Sequence, residues 1–208
     1  MSKQGKTDEK PLSERAREQR ERILAAAQDC FVRYGFHAAS MANIAEAAKM
    51  SAGLIYRYFP NKSAIVLAII ERQTEMELED MRAFDSSMDL TEMLVETFGT
   101  WTRPTPDMRI MNAALFLEAS AEATRDEAVA TAMHQVDQLY FGELQAILTR
   151  PAAEGGFGMP AELARQRALV LTCLVEGLAV RAARDPALDP QWLRSALGEA
   201  MQHLLAPR

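Results

Sequence analysis

The sequence predicts an all-α protein in which a domain of three helices precedes a larger domain of six helices. Alanine, leucine, methionine, glutamate and arginine are abundant in the 208 residues, and aromatic residues make up only 7%. This composition favours helix over sheet. No segment offers the alternating run of β-branched residues that is typical of a strand. Apolar residues make up 49% of the chain, which is enough for a sizeable core.

The first helix is predicted over residues 13–34. Before it, residues 1–12 are polar and carry three lysines, which indicates a disordered basic arm. Apolar residues from Ile23 to Phe31 recur at helical spacing and give the helix one apolar stripe. Gly35 follows at once and is predicted to end the helix as a C-terminal cap.

Two very short helices joined by a tight turn come next. Ser40 is the predicted N-cap of the first, and Ser51 is the predicted N-cap of the second. The second helix buries Ile55 and Phe59, and Pro60 ends it. Helices this short do not stand alone in water, so neighbouring elements must hold them. A helix-turn-helix of this kind presents its second helix to the major groove of DNA.

Residues 23–70 resemble the DNA-binding domain of TetR-family transcriptional regulators. The resemblance depends on a hydroxyl cap followed by I-A-x-x-A, a turn, S-x-G-x-x-Y-x-x-F and then x-x-K. One position departs from the pattern, because Lys49 stands in the turn where the family usually has glycine. A lysine at positive φ costs about 1 kcal/mol, so this turn is expected to be either strained or adjusted.

Eight residues of this segment are candidate DNA contacts. Lys62 begins a helix, where its charge and free backbone N–H groups suit a phosphate. Arg57 suits a base edge or a phosphate, because its guanidinium fits guanine O6 and N7. The hydroxyls of Tyr56 and Tyr58 can donate to phosphates, and the resemblance assigns Tyr56 such a contact. Core packing is the alternative for both tyrosines. The full set is Ser40, Ala52, Gly53, Leu54, Tyr56, Arg57, Tyr58 and Lys62.

Charge is segregated along the chain in a way that suits a DNA-binding protein. Residues 1–62 hold 11 lysines and arginines against 7 carboxylates, a net charge of +4. Residues 63–208 hold 12 against 22, a net charge of −10. A basic N-terminal part on an acidic body favours approach to a polyanion in one orientation.

The rest of the chain is predicted to form a ligand-binding and dimerisation domain over residues 62–208, after a DNA-binding domain over 13–61. Its helices are predicted at 62–84, 90–102, 107–124, 126–150, 160–184 and 190–205. Residues 168–180 are apolar nearly all round, so this helix must be buried from several sides. The resemblance implies that the last two helices pair with those of a second copy as a four-helix bundle. The alternative is a helix buried within one chain.

The resemblance also places a small-molecule pocket among the middle helices, where methionines and aromatic residues are frequent. Simple core packing is the alternative for these residues. Glu118 and Glu176 lie in apolar segments, so each requires a protein partner or a ligand. The candidate ligand-binding residues are Met93, Phe98, Trp101, Met108, Met111, Phe116, Glu118, Met133, Tyr140 and Glu176.

No enzyme motif, cofactor-binding motif or metal-ligand spacing is present, so we expect no enzymatic activity and no cofactor. Cys30 and Cys173 are expected to be buried free thiols. With no signal peptide and no membrane-spanning segment, a cytoplasmic protein is expected.

The sequence therefore predicts a homodimeric, ligand-responsive regulator of transcription. It is expected to be a repressor that a small apolar effector releases from a palindromic double-stranded operator. The alternative is a helical metabolite-binding or interaction protein whose DNA-binding part no longer functions.

Overall fold

The computed structural model of the chain describes residues 13–85, 87–102 and 113–206. Within these ranges the regular elements are helical, which confirms the predicted all-α class. In chain order they are α1 (Glu14–Ala38), α2 (Met41–Ala47), α3 (Ala52–Tyr58), α4 (Lys62–Arg82), α5 (Leu90–Thr102), α6 (Ala113–Ala123), α7 (Glu127–Thr149), a 3₁₀ turn (Ala152–Glu154), α8 (Ala161–Arg184) and α9 (Pro190–Leu205).

Side-chain caps fix the starts of most of these helices. Ser40 and Asn43 form a reciprocal capping box at α2, in which each side chain accepts a hydrogen bond from the other residue's backbone N–H. Ser51 caps α3 and Asn61 caps α4 by accepting from backbone N–H groups three residues later. The two predicted N-caps, Ser40 and Ser51, are therefore confirmed.

Gly35 breaks α1 but does not end it. Its φ of 75° and ψ of 159° lie outside the helical region, and one further turn continues to Ala38. The N–H of Ala39 then donates to the Gly35 carbonyl at 3.1 Å. The predicted end of the first helix at Tyr34 therefore coincides with this break, and glycine permits the sharp change of direction after which one more helical turn follows.

Two apolar clusters form the core of the described part of the chain. The first contains the buried faces of α1 to α3 and the early part of α4, together with Leu115 and Ala119 of α6 and Val129 of α7. The second unites α5 with the end of α7, α8 and α9. The helix-turn-helix therefore shares its core with the rest of the protein, and it does so through α1, which packs against both α4 and α6.

In the described ranges, no helix is long and apolar enough to cross a membrane.

Candidate nucleic-acid interface and effector region

Helix α3 has one fully buried side chain and a broad exposed face. Ile55 is 0% exposed and holds the helix against the core, whereas Tyr56 is 53% exposed. Ala52, Gly53 and Arg57 are also exposed. A Cβ added to Gly53 would meet no atom within 4 Å, so this side of the helix is open. The exposed face thus combines small residues, which permit close approach, with one phenol and one guanidinium.

The other predicted contacts on these helices are less free. Leu54 and Tyr58 are half-buried, and Tyr58 packs against the first core cluster. The Ser40 hydroxyl lies 2.6 Å from Asn43 Oδ1, to which it donates, and accepts from the Asn43 N–H at 3.1 Å. Because a phosphate needs a donor, Ser40 would have to give up its bond to Asn43 to contact one with this hydroxyl.

Lys62 has a structural partner set that sequence reasoning missed. Its Nζ donates to the carbonyl oxygens of Phe36 at 2.6 Å, Ala39 at 2.8 Å and His37 at 3.2 Å. The same Nζ lies 4.7 Å from the centre of the Phe36 ring, in a cation–π contact. All three ammonium donors are therefore used inside the protein, and the predicted phosphate contact of this ammonium is not available in this conformation.

The turn between α2 and α3 is strained, because Lys49 adopts a backbone conformation with positive φ. Its φ is 52°, and among the described residues it is the one non-glycine residue at positive φ. Arg22 of α1 donates from Nη2 to the Lys49 carbonyl at 3.1 Å. This bond ties the turn to α1, and no spacing in the sequence indicates it, because the two residues are 27 positions apart.

The predicted effector-binding residues are divided between the two core clusters. Met133 packs against the first, whereas Phe98 is buried in the second with Trp101 beside it. Met93 is exposed on α5, and Phe116 is half-buried on α6. Met108 and Met111 lie outside the described residues. The structure therefore does not bring the described members of this set around one point.

The two carboxylates of the predicted set have different surroundings. Glu118 Oε2 accepts a hydrogen bond from the backbone N–H of Phe36 at 2.7 Å. One oxygen of this carboxylate thus has a protein partner, the backbone N–H that follows the break in α1. Glu176 is exposed on α8, where partial desolvation and the neighbouring Asp137 carboxylate raise its pKa.

A half-buried pair of polar side chains, Glu77 and Tyr140, lies between α4 and α7, and only Tyr140 belongs to the predicted site residues. The Tyr140 hydroxyl donates to Glu77 Oε2 at 2.5 Å. Burial raises the pKa of Glu77, and burial together with the Glu77 carboxylate raises the pKa of Tyr140 far above its usual range. The phenol therefore remains protonated and acts as a donor.

Gln73 lies one helical turn before Glu77 on α4 and is 1% exposed. Neither its Oε1 nor its Nε2 has a hydrogen-bond partner among the described residues. An unpaired buried amide is costly, so such a group in a native protein requires an explanation. No periodicity could reveal it, since glutamine at this position reads as an ordinary polar helix residue.

A surface groove of about 400 Å³ lies elsewhere, between the start of α5 and α9. Its lining includes Leu90, Phe157, Met201 and Leu205. None of the predicted ligand-binding residues that the structure describes lines it.

Helices α8 and α9 expose large apolar side chains in the single chain. Leu169 is 57% exposed, Val170 is 51% exposed and Trp192 is 67% exposed. Cys173 is exposed on α8, which contradicts the expectation of a buried thiol, whereas Cys30 is buried as expected. A Cβ added to Gly177 on the same helix would meet nothing within 4 Å. The predicted helix with several apolar faces is thus only partly covered by its own chain.

A capped helix-turn-helix with an exposed second helix, set on a larger helical domain, defines a DNA-binding regulator of transcription. The sequence matches the family of bacterial regulatory proteins, tetR family, over residues 23–69. It is also 33% identical to the HTH-type transcriptional regulator UidR of Escherichia coli (strain K12) over 137 residues, which are 66% of this chain and 67% of UidR. The protein belongs to the TetR family of transcriptional regulators.

Solved structures agree with this assignment along nearly the whole chain. Salmonella enterica GusR is similar with a TM-score of 0.69 and 30% identity, covering 93% of this chain and 98% of GusR. FadR of Bacillus subtilis, solved in complex with stearoyl-CoA, has a TM-score of 0.62 and 21% identity, with 90% of this chain and 98% of FadR covered. The second likeness concerns the fold alone.

Proposed function

We propose that the protein is a homodimeric repressor that a small effector releases from a palindromic operator. The observation that carries this proposal is the exposed face of α3 on a domain whose core continues into α6 and α7. In this arrangement, a change in the effector domain alters the separation of two recognition helices, and so lowers operator affinity. The site of action is the cytoplasm, and the role is regulatory rather than enzymatic.

The test begins with double-stranded DNA of random sequence, from which the purified protein selects its binding site. A palindromic site bound with steep salt dependence would support the proposal. Selection of no sequence above background would favour the alternative function, a helical metabolite-binding or interaction protein without DNA binding.

Arg57→Ala is expected to weaken operator binding by about 1–3 kcal/mol and to relax specificity at one base pair, as loss of a bidentate base contact does. The measurement is a fluorescence-anisotropy titration of the selected site and of its single-base variants. Arg184→Ala, at the exposed end of α8, is the matched control and should bind as the wild type does. Equal weakening on all sequences would instead assign Arg57 to a phosphate.

The proposed homodimer is supported by the exposed apolar face of α8 and α9. Leu169, Val170 and Trp192 form part of a face that a monomer leaves in water, and stable homodimers bury such faces. Gly177 permits a second helix to approach closely. Both of the last two helices thus carry exposed apolar side chains, as a four-helix bundle between two copies requires.

The proposed effector is an apolar molecule with one hydrogen-bonding group. Met133 of α7, which packs against the first core cluster, suits its apolar part, since methionine adapts to varied shapes. The unpaired amide of Gln73, beside the Glu77–Tyr140 pair, supplies both a donor and an acceptor for its polar group. FadR of Bacillus subtilis, with its bound stearoyl-CoA, is a precedent for this fold with an acyl ligand.

Gln73→Leu is expected to raise the free energy of unfolding by about 1–3 kcal/mol, because it removes an unpaired buried amide. Urea denaturation measures this. Gln28→Leu is the matched control, because Gln28 is equally buried but its Oε1 accepts from Arg72 Nη2 at 2.5 Å. That change should lower the free energy of unfolding. A destabilised Gln73→Leu protein would mean that the amide is already paired.

The same variant tests the effector. Compounds from an apolar library that raise the melting temperature of the wild type and release operator DNA should fail to do so with Gln73→Leu. If compounds act equally on both proteins, the polar end of the effector site lies elsewhere.

A further inference from the structure

Glu118 bonds a backbone amide that the break in α1 makes available. At Gly35 the chain leaves helical geometry, with φ 75° and ψ 159°. The following N–H, that of Phe36, donates to Glu118 Oε2 at 2.7 Å across 82 residues of sequence. A Cβ at position 35 would lie 3.4 Å from Glu118 Oε1, so the carboxylate also approaches the glycine backbone closely. The hydrogen bond and the close approach together form a specific contact between α6 and the end of α1.

Phe36 is held from its other side by α4. Its carbonyl accepts from Lys62 Nζ at 2.6 Å, while its N–H donates to Glu118. One residue thus joins a carboxylate of the effector domain to an ammonium at the start of α4. Since only Phe59, Pro60 and Asn61 separate α3 from Lys62, a displacement of Phe36 is passed to the recognition helix through a short connection.

The same face of α6 and the turn after it supply further contacts to this turn of α1. Glu122 Oε2 lies 3.6 Å from His37 Nε2, and Arg125 Nη1 lies 3.3 Å from the same nitrogen. Glu122 is 8% exposed. Positions 118, 122 and 125 follow one another at helical spacing. A single polar stripe therefore contacts residues 36 and 37, beside the apolar contacts that Leu115 and Ala119 make in the first core cluster.

We propose that Glu118 is a positioning residue for operator recognition: its carboxylate fixes the orientation of the helix-turn-helix relative to α6. The inference rests on the proposed function, because orientation matters only where two recognition helices bind one palindrome. In such a dimer the orientation sets the distance between the helices. Glu118 thereby determines which spacing of half-sites the protein accepts.

Half-site spacing provides a readout that a loss of stability alone does not change. Adding or removing one base pair between the half-sites moves them by about 3.4 Å and rotates them about the DNA axis. The experiment uses the selected operator and versions with one base pair inserted or deleted at the centre. Affinities are measured for wild type, Glu118→Ala, Glu118→Asp and Glu118→Gln, with circular dichroism to establish folding.

The wild type should lose about tenfold or more in affinity for each altered spacing, a penalty comparable to a mismatched base pair. Glu118→Ala should lose only a few-fold, because its recognition helices adapt. Glu118→Asp, whose carboxylate is too short to reach the Phe36 amide, should behave like Glu118→Ala. Glu118→Gln keeps an oxygen acceptor of the original length and should restore most of the penalty.

An unchanged spacing penalty in both Glu118→Ala and Glu118→Asp would overturn the inference while leaving the proposed function intact. If Glu118→Ala does not fold, the comparison of Glu118→Asp with Glu118→Gln decides by the same criterion. Equal relaxation in Glu118→Gln and Glu118→Asp would also overturn it, because the amide contact would then not be the cause. Failure to select any palindrome would overturn the proposed function itself, and the inference with it.

Discussion

Val170→Arg is expected to convert the protein from a dimer into a folded monomer. Val170 is 51% exposed on α8 in the single chain, so the arginine meets water in the monomer and does not disturb the core. In the proposed dimer the same side chain would be an unpaired buried cation, which costs about 3–5 kcal/mol. A cost near 4 kcal/mol raises the dimer dissociation constant about 10³-fold.

Light scattering at micromolar concentration measures this change directly. Val32→Arg is the matched control, because Val32 is 42% exposed and lies on α1, away from the α8 and α9 face. It should remain a dimer. Circular dichroism should show both variants folded, and only Val170→Arg should lose binding to a palindromic site. A wild type that is monomeric, or a Val170→Arg protein that stays dimeric, would contradict the proposed interface.

The sequence alone predicts the apolar helix that carries Val170, but not the exposure of this side chain. The apolar run 168–180 predicted a helix buried from several sides, and the structure confirms that Ala168, Leu171 and Leu178 face the core of their own chain. Periodicity could not tell which apolar residues remain exposed, because residues on every side of this helix are apolar. Only the packing of α5, α6 and α7 against α8 separates the exposed apolar residues from the buried ones.

Local features were predicted well because their causes are local. Ser40 and Ser51 each accept from a backbone N–H three residues away, so the spacing in the sequence contains the whole interaction. The buried positions Ile55 and Phe59 follow from the same short helix and its end at Pro60. The sequence also marks Lys49 as a departure at a position with a known backbone demand, but it leaves open whether the turn is strained or adjusted.

Long-range polar contacts were not predicted. Glu118 was interpreted only as a carboxylate in an apolar segment, and its partner is the amide of a residue 82 positions earlier. Gln73 gave no signal, because its lack of partners is a property of the packed core. The effector residues were likewise predicted from the resemblance and from the frequency of methionine and aromatic residues. Neither specifies which side chains of α5 to α7 face one another.

The carbonyl partners of Lys62 are also long-range contacts, which the sequence does not reveal. Replacing Lys62 is therefore expected to destabilise the fold, an effect much larger than the loss of one phosphate contact. Lys62→Met should lower the free energy of unfolding by about 3 kcal/mol, since hydrogen bonds to charged groups contribute about 1.5–3 kcal/mol and their loss leaves unpaired acceptors. Phe36 and Ala39 are 6% and 0% exposed, so water replaces the ammonium poorly at their carbonyls. The cation–π contact with the Phe36 ring is lost as well.

Urea denaturation of the two lysine variants separates a structural role from an electrostatic one. Lys49→Met removes the same charge from the same domain and keeps a side chain at the strained φ of 52°, but Lys49 is exposed. It should change stability by less than about 0.5 kcal/mol. Operator binding by Lys62→Met is measured at a temperature where the variant remains folded. Its dependence on salt should equal that of the wild type, because binding releases no counterion at an ammonium that three carbonyls already surround. A stable Lys62→Met protein whose salt slope falls by about one would restore the phosphate contact predicted from the sequence, and would require the ammonium to leave Phe36 when DNA binds.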